Sequence, residues 1–164
     1  MFNQRFFKTF FLPIILIVCG SVFNPDAHAQ EMKVYRPGDW KPLLESRANK
    51  PMIVHFWGFT CSPCLDELPR WGDFIAQFPD VKTVFIEVDQ IPAELSIQTL
   101  RDARLDRADH RTSSASFDEY MRYEIDPRWM GELPLTMLIS PKGEIRRLRG
   151  TVDFKIIRQW LAQF

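Results

Sequence analysis

The chain has 164 residues, with 21 basic side chains balanced by 21 acidic ones and 3 cysteines. A formal net charge of zero gives no field that would recruit nucleic acid, and no nucleic-acid partner is expected. Once a targeting segment is set aside, the remainder suits one domain with a real core, with no internal repeat and no long low-complexity tract.

Residues 1–29 have the three parts of a secretory signal peptide. Arg5 and Lys8 supply the positive end, an apolar run extends from Phe10 to about Val22, and Ala27-His28-Ala29 offers small residues for cleavage. The apolar run is shorter than the roughly 20 residues that span a bilayer comfortably, although an uncleaved anchor is the alternative. Bulky Val18 speaks against lipid attachment at Cys19. The expected mature domain, 30–164, therefore keeps only Cys61 and Cys64, in a periplasm or equivalent space where disulfides persist.

Apolar runs then alternate with helical patterns, which predicts an α/β domain. Asp39 is placed to cap a short helix through about Ala48 that presents Trp40, Leu43 and Leu44. PMIVHFW, opened by Pro51, reads as a central strand covered on both faces. After Cys61, the residues Cys64, Leu68, Trp71, Ile75 and Phe78 recur at helical spacing, with Pro69 expected to kink that helix. VKTVFIEVD is the next strand and Pro92 to Leu105 the next helix, so the two strands should be parallel with a right-handed crossover.

Asp106 to Ser116 is polar and reads as a loop or a weak edge strand, and Phe117 to Glu124 as a short helix. LTMLIS and EIRRLRG, joined by Ser140-Pro141-Lys142-Gly143, predict an antiparallel hairpin through a type I turn, with Arg146 to Arg149 on a solvated face. Asp153 is placed to cap a last helix with Ile157, Trp160, Leu161 and Phe164 on its apolar side.

The pair Cys61 and Cys64 can hold a metal, staple a loop or exchange electrons. A structural zinc site needs four ligands, and beside the two thiols the mature chain offers only His55 and His110, at unsuitable spacing. Stapling so short a loop removes little entropy from the unfolded chain. Exchange chemistry suits the placement, because free N–H groups at a helix start favour thiolate over thiol on Cys61. Cys64, on the core-facing stripe, would resolve a mixed disulfide formed on Cys61. Pro63 lacks an N–H that could have reached the Cys61 sulfur, and Asp66 and Glu67 add negative charge, a combination that favours a reductant.

FWGFTCSPC at a strand-to-helix junction, Pro69, and Leu133-Pro134-Leu135-Thr136 before a hairpin together resemble the thioredoxin fold. Within it, the chain looks most like the exported TlpA/ResA-type thiol-disulfide oxidoreductases, over roughly Lys33 to Phe164. The resemblance implies a mixed central sheet flanked by helices, and a cis Leu133–Pro134 bond facing the cysteines, where a partner peptide can pair. It also implies disulfide-bearing protein substrates and a membrane thiol-electron donor, with roles in cytochrome c maturation or copper-site assembly. No cofactor and no metal are expected, and the chain is read as a monomer.

Two positions depart from the family pattern. Thr60 stands where many relatives have tryptophan, and His55 where thioredoxins have a buried aspartate. His55 could shuttle the proton that Cys64 loses, or be a core histidine satisfied by hydrogen bonds. Glu87 or Asp89 could accept that proton, or form a solvated strand end. The rival functions are a Cu(I) metallochaperone using the cysteines with Met130 or Met137, and a redox-inactive interaction domain.

Overall fold

The computed structural model describes residues 32–106 and 108–164, so the segment read as a secretory signal lies outside the described residues. The elements follow in the order β1 (Lys33–Tyr35), α1 (Trp40–Glu45), β2 (Met52–Trp57), α2 (Ser62–Gln77), β3 (Lys82–Glu87) and α3 (Ala93–Asp102). Then come β4 (Asp109–Ser113), α4 (Glu119–Ile125), β5 (Leu135–Ile139), β6 (Ile145–Arg149) and α5 (Phe154–Leu161).

The strands make one mixed sheet in the order β1-β4-β3-β2-β5-β6. β2 pairs in parallel with β3 and antiparallel with β5, and β5 and β6 form the predicted antiparallel hairpin. Every position of β2 is buried, as its unbroken apolar run requires, and each sheet face is covered. On one face, Ile53 and Trp57 pack with Cys64, Leu68, Trp71 and Ile157 beneath α2 and α5. On the other, Val54 and Phe56 pack with Leu43, Met121 and Trp129. Each large apolar side chain buried this way contributes about 1.5–3 kcal/mol.

Several expectations need correction. The polar segment 106–116 contains β4, which lies inside the sheet between β1 and β3 rather than at an edge. Polar pairing holds it there: Asp109 meets Lys33 at 3.0 Å, Thr112 donates to Glu87 at 3.0 Å, and the His110 ring meets the Leu105 carbonyl. Asp39 does not cap α1; its carboxylate accepts from the Arg36 amide, while Glu124 receives the Trp40 amide at 3.1 Å. In α2, Phe74 joins the buried stripe and Ile75 is only half-buried. Phe164 is exposed, although its ring stays 5.3 Å from that of Trp160. The Arg146 to Arg149 run is not wholly solvated, because Arg147 pairs with the buried Asp126.

Pro69 sits within α2 without ending it, as the continuing apolar stripe predicts. One turn on, Gly72 rests on the end of α3: a Cβ there would lie 2.0 Å from the Ala103 carbonyl oxygen. Gly72→Ala must push the two helices apart and should cost about 3 kcal/mol, lowering the thermal midpoint by about 10 °C. Calorimetry checks this, and an unchanged midpoint would contradict the close approach.

Candidate functional site

β2 ends at Trp57, and the chain turns through Gly58 to Thr60 so that Cys61 becomes the N-cap of α2. The Cys61 amide donates to the Gly58 carbonyl at 3.3 Å, closing the turn. Cys61 and Cys64 are joined as a disulfide, with sulfurs 2.08 Å apart. The two sulfurs have unequal surroundings: Cys61 is partly exposed, whereas Cys64 is 0% exposed inside the core. The Cys64 amide donates to the Cys61 sulfur at 3.2 Å, while Pro63, at the second helical position, has no N–H to offer. A sulfur at this place receives the orphan donors and the positive end of α2.

The sheet register gathers other parts of the site at the same end. Leu135 of β5 lies opposite Phe56, so Pro134 falls beside the end of β2 from which the cysteine loop leaves. The Leu133–Pro134 bond is cis, Pro134 is buried, and its carbonyl accepts from the Gly150 amide at 2.9 Å. Leu133 packs against both core clusters, one of which also holds Cys61 and Cys64.

His55 lies deeper, fully buried, with its ring 4.9 Å from that of Trp71 and 5.5 Å from that of Phe85. Its Nδ1 shares a 2.9 Å hydrogen bond with Thr136 Oγ1, while Nε2 has no partner, so only half of the imidazole is satisfied. Burial pushes its pKa down to about 3, which makes it a poor acceptor for a thiol proton.

Glu87 is not a solvated strand end. It is fully buried, one oxygen accepting from Thr112 Oγ1 and the other from the Asp89 amide at 2.5 Å, and burial raises its pKa.

Asp66 and Glu67, both read as adding negative charge near Cys61, differ in their surroundings. Asp66 is exposed, but Glu67 is 2% exposed, with Oε1 accepting from the Val152 amide at 2.9 Å. Burial lifts its pKa above the ordinary carboxylate value, while the Val152 amide, Arg70 and the Trp71 side chain act in the opposite sense. The available sequence signal was spacing: three residues beyond Cys64 places Glu67 on the same helical face.

Met137 points into the core cluster across the sheet from Cys64, so it cannot join the thiols around a copper ion. Met130 is 82% exposed on the loop before Pro134. Among the described residues, no group of three or more histidines, cysteines and acids could hold a metal ion. No helix there is long and apolar enough to cross a membrane.

A disulfide at a helix start, half-open on one side and beside a cis-proline loop on a mixed sheet, defines a thioredoxin-fold thiol-disulfide oxidoreductase. No family model matches the chain. It is 27% identical to the sporulation thiol-disulfide oxidoreductase A of Bacillus subtilis over 116 residues, which is 68% of this chain and 66% of that protein. The thiol-disulfide oxidoreductase ResA of Oceanobacillus iheyensis is 24% identical over 163 residues, 89% of this chain and 81% of the relative. A secreted Mycobacterium tuberculosis disulfide oxidoreductase homologous to E. coli DsbE shares the fold, with TM-score 0.57 and 18% identity over 73% of this chain and 86% of that one. In sequence the chain is thus similar to ResA-like thiol-disulfide oxidoreductases, and in fold to thioredoxin-like proteins.

Proposed function

We propose that this protein is exported and reduces disulfides in partner proteins, with Cys61 attacking and Cys64 resolving. The inequality of the two sulfurs carries this reading: one is reachable from solvent and the other sealed in the core. In the dithiol form, the Cys61 thiolate attacks one sulfur of a partner disulfide, and the other leaves as a thiolate. Cys64 then loses its proton and attacks the Cys61 sulfur, releasing the second partner thiolate. Two electrons pass to the partner, and the protein is left as the Cys61–Cys64 disulfide. A dithiol donor, read as a membrane thiol transporter, regenerates it.

Glu67 is the group best suited to take the Cys64 proton. It follows Cys64 by one helical turn, it is buried, and its raised pKa brings it closer to that of a thiol. The cis Leu133–Pro134 loop supplies the neighbouring backbone on which an extended partner segment can pair.

Insulin reduction with dithiothreitol as electron source, together with the reduction potential from glutathione equilibration, tests the function. Catalysed precipitation and a strongly reducing potential are expected; an inert protein would leave the redox-inactive reading. Pro63→His restores a backbone amide and adds an imidazole near the Cys61 sulfur. A charge-assisted hydrogen bond is worth about 1.5–3 kcal/mol, so the potential should rise by about 30–60 mV. A potential that stays put or falls would refute the role given to Pro63.

A further inference from the structure

We infer that Asp89 is a positioning residue for Cys61: its carboxylate locks the Gly58–Cys61 turn that sets the sulfur on the start of α2. The inference rests on the exchange reading of the pair. Thr60, the residue before Cys61, donates its amide to Asp89 Oδ2 at 2.7 Å. The Thr60 side chain is exposed, so packing does little to hold this part of the turn, and the amide bond does so instead. Gly58 makes the approach possible. A Cβ there would stand 2.7 and 2.8 Å from the two Asp89 carboxylate oxygens, which therefore lie against a bare Cα.

Asp89 is itself held from behind. Its amide donates to Glu87 Oε1 at 2.5 Å, and Glu87 is fixed through its other oxygen by Thr112 of the neighbouring strand. The Val88 amide donates to the Trp57 carbonyl at 3.1 Å, tying the segment after β3 to the end of β2. A series of hydrogen bonds thus runs from the sheet interior at Thr112, through Glu87 and Asp89, to the amide next to Cys61. Losing the clamp frees the turn, and Cys61 spends less time as the N-cap of α2, where the helix stabilises its thiolate.

The test is the rate of Cys61 alkylation by iodoacetamide across pH in the reduced proteins, with the modified site assigned by mass spectrometry. Asp89→Asn keeps an acceptor oxygen for the Thr60 amide and should match the wild type. Asp89→Ala should slow alkylation at pH 7 about fivefold, as loss of a helix cap would, and move the midpoint of the profile upward. Gly58→Ala should do the same, because its methyl group displaces the carboxylate. The double variant should be no slower than Asp89→Ala, since the displaced group is already gone.

Full additivity of the two changes, or an Asp89→Ala profile equal to the wild type, overturns the clamp. Faster alkylation in both Asp89→Ala and Asp89→Asn also overturns it, because the carboxylate would then act only as a charge. If wild-type Cys61 alkylates like an ordinary thiol and insulin is not reduced, the exchange reading fails and takes the clamp with it. An active wild type with unmoved variants sinks the clamp alone.

Discussion

Cys64→Ser, produced in cells, should accumulate as a covalent adduct with its substrates, whereas Cys61→Ser should form none and lose exchange activity to background. The asymmetry follows from burial. Cys61 is open to solvent and caps α2, so a partner disulfide can reach it and its thiolate is stabilised. Cys64 is 0% exposed, so it can meet only a disulfide already formed on Cys61. Serine at position 64 leaves the first attack intact and removes the second, so the mixed disulfide has no internal route of release. Non-reducing electrophoresis followed by mass spectrometry would reveal the adducts and identify the substrates. Equal trapping by both variants, or trapping by Cys61→Ser alone, would reverse the assigned roles.

The second large effect is on acid stability. Burial lowers the His55 pKa from 6.5 to about 3, so an unfolded chain takes up a proton below pH 6.5 that the native imidazole refuses. The stability from keeping His55 neutral is complete above pH 6.5 and is lost as the pH falls toward 3. The loss is about 1.4 kcal/mol for each pH unit in that window. Glu67 and Glu87 act in the opposite sense. Burial raises both pKa values, so the native state holds their protons longer and gains stability as the pH drops toward 4.5. His55→Asn isolates the histidine, because the two glutamates are common to both proteins. Denaturant titrations should show the two stabilities running parallel above pH 7 and the wild type losing ground to the variant below 6.5. Parallel curves down to pH 4 would mean that the imidazole is protonated in the native state.

Much of this architecture is legible in the residues because local pattern and tertiary role coincide. The apolar strand into Trp57, the helical spacing after Cys61 and the Ser140–Gly143 turn each identify their element alone. β4 was illegible because DHRTS has neither the apolar content nor the alternation of an interior strand; its place is fixed by Lys33, Glu87 and Leu105, distant in the chain or outside the strand. The start of α1 fails for a similar reason. Glu124, which receives its first amide, is 84 residues away, and no local cap motif reports it. Glu67 and Glu87 look like ordinary surface acids by residue type, and only the packing around them shows that both are enclosed.

The two rims of the sheet have a bearing on solubility. Among the described residues, one rim strand, β1, is three residues long, and the other, β6, carries Arg146, Arg147 and Arg149. A second molecule trying to extend either rim would find almost no backbone to template on, or would have to bring guanidinium groups against guanidinium groups. The fold thus discourages fibre-like stacking at both margins.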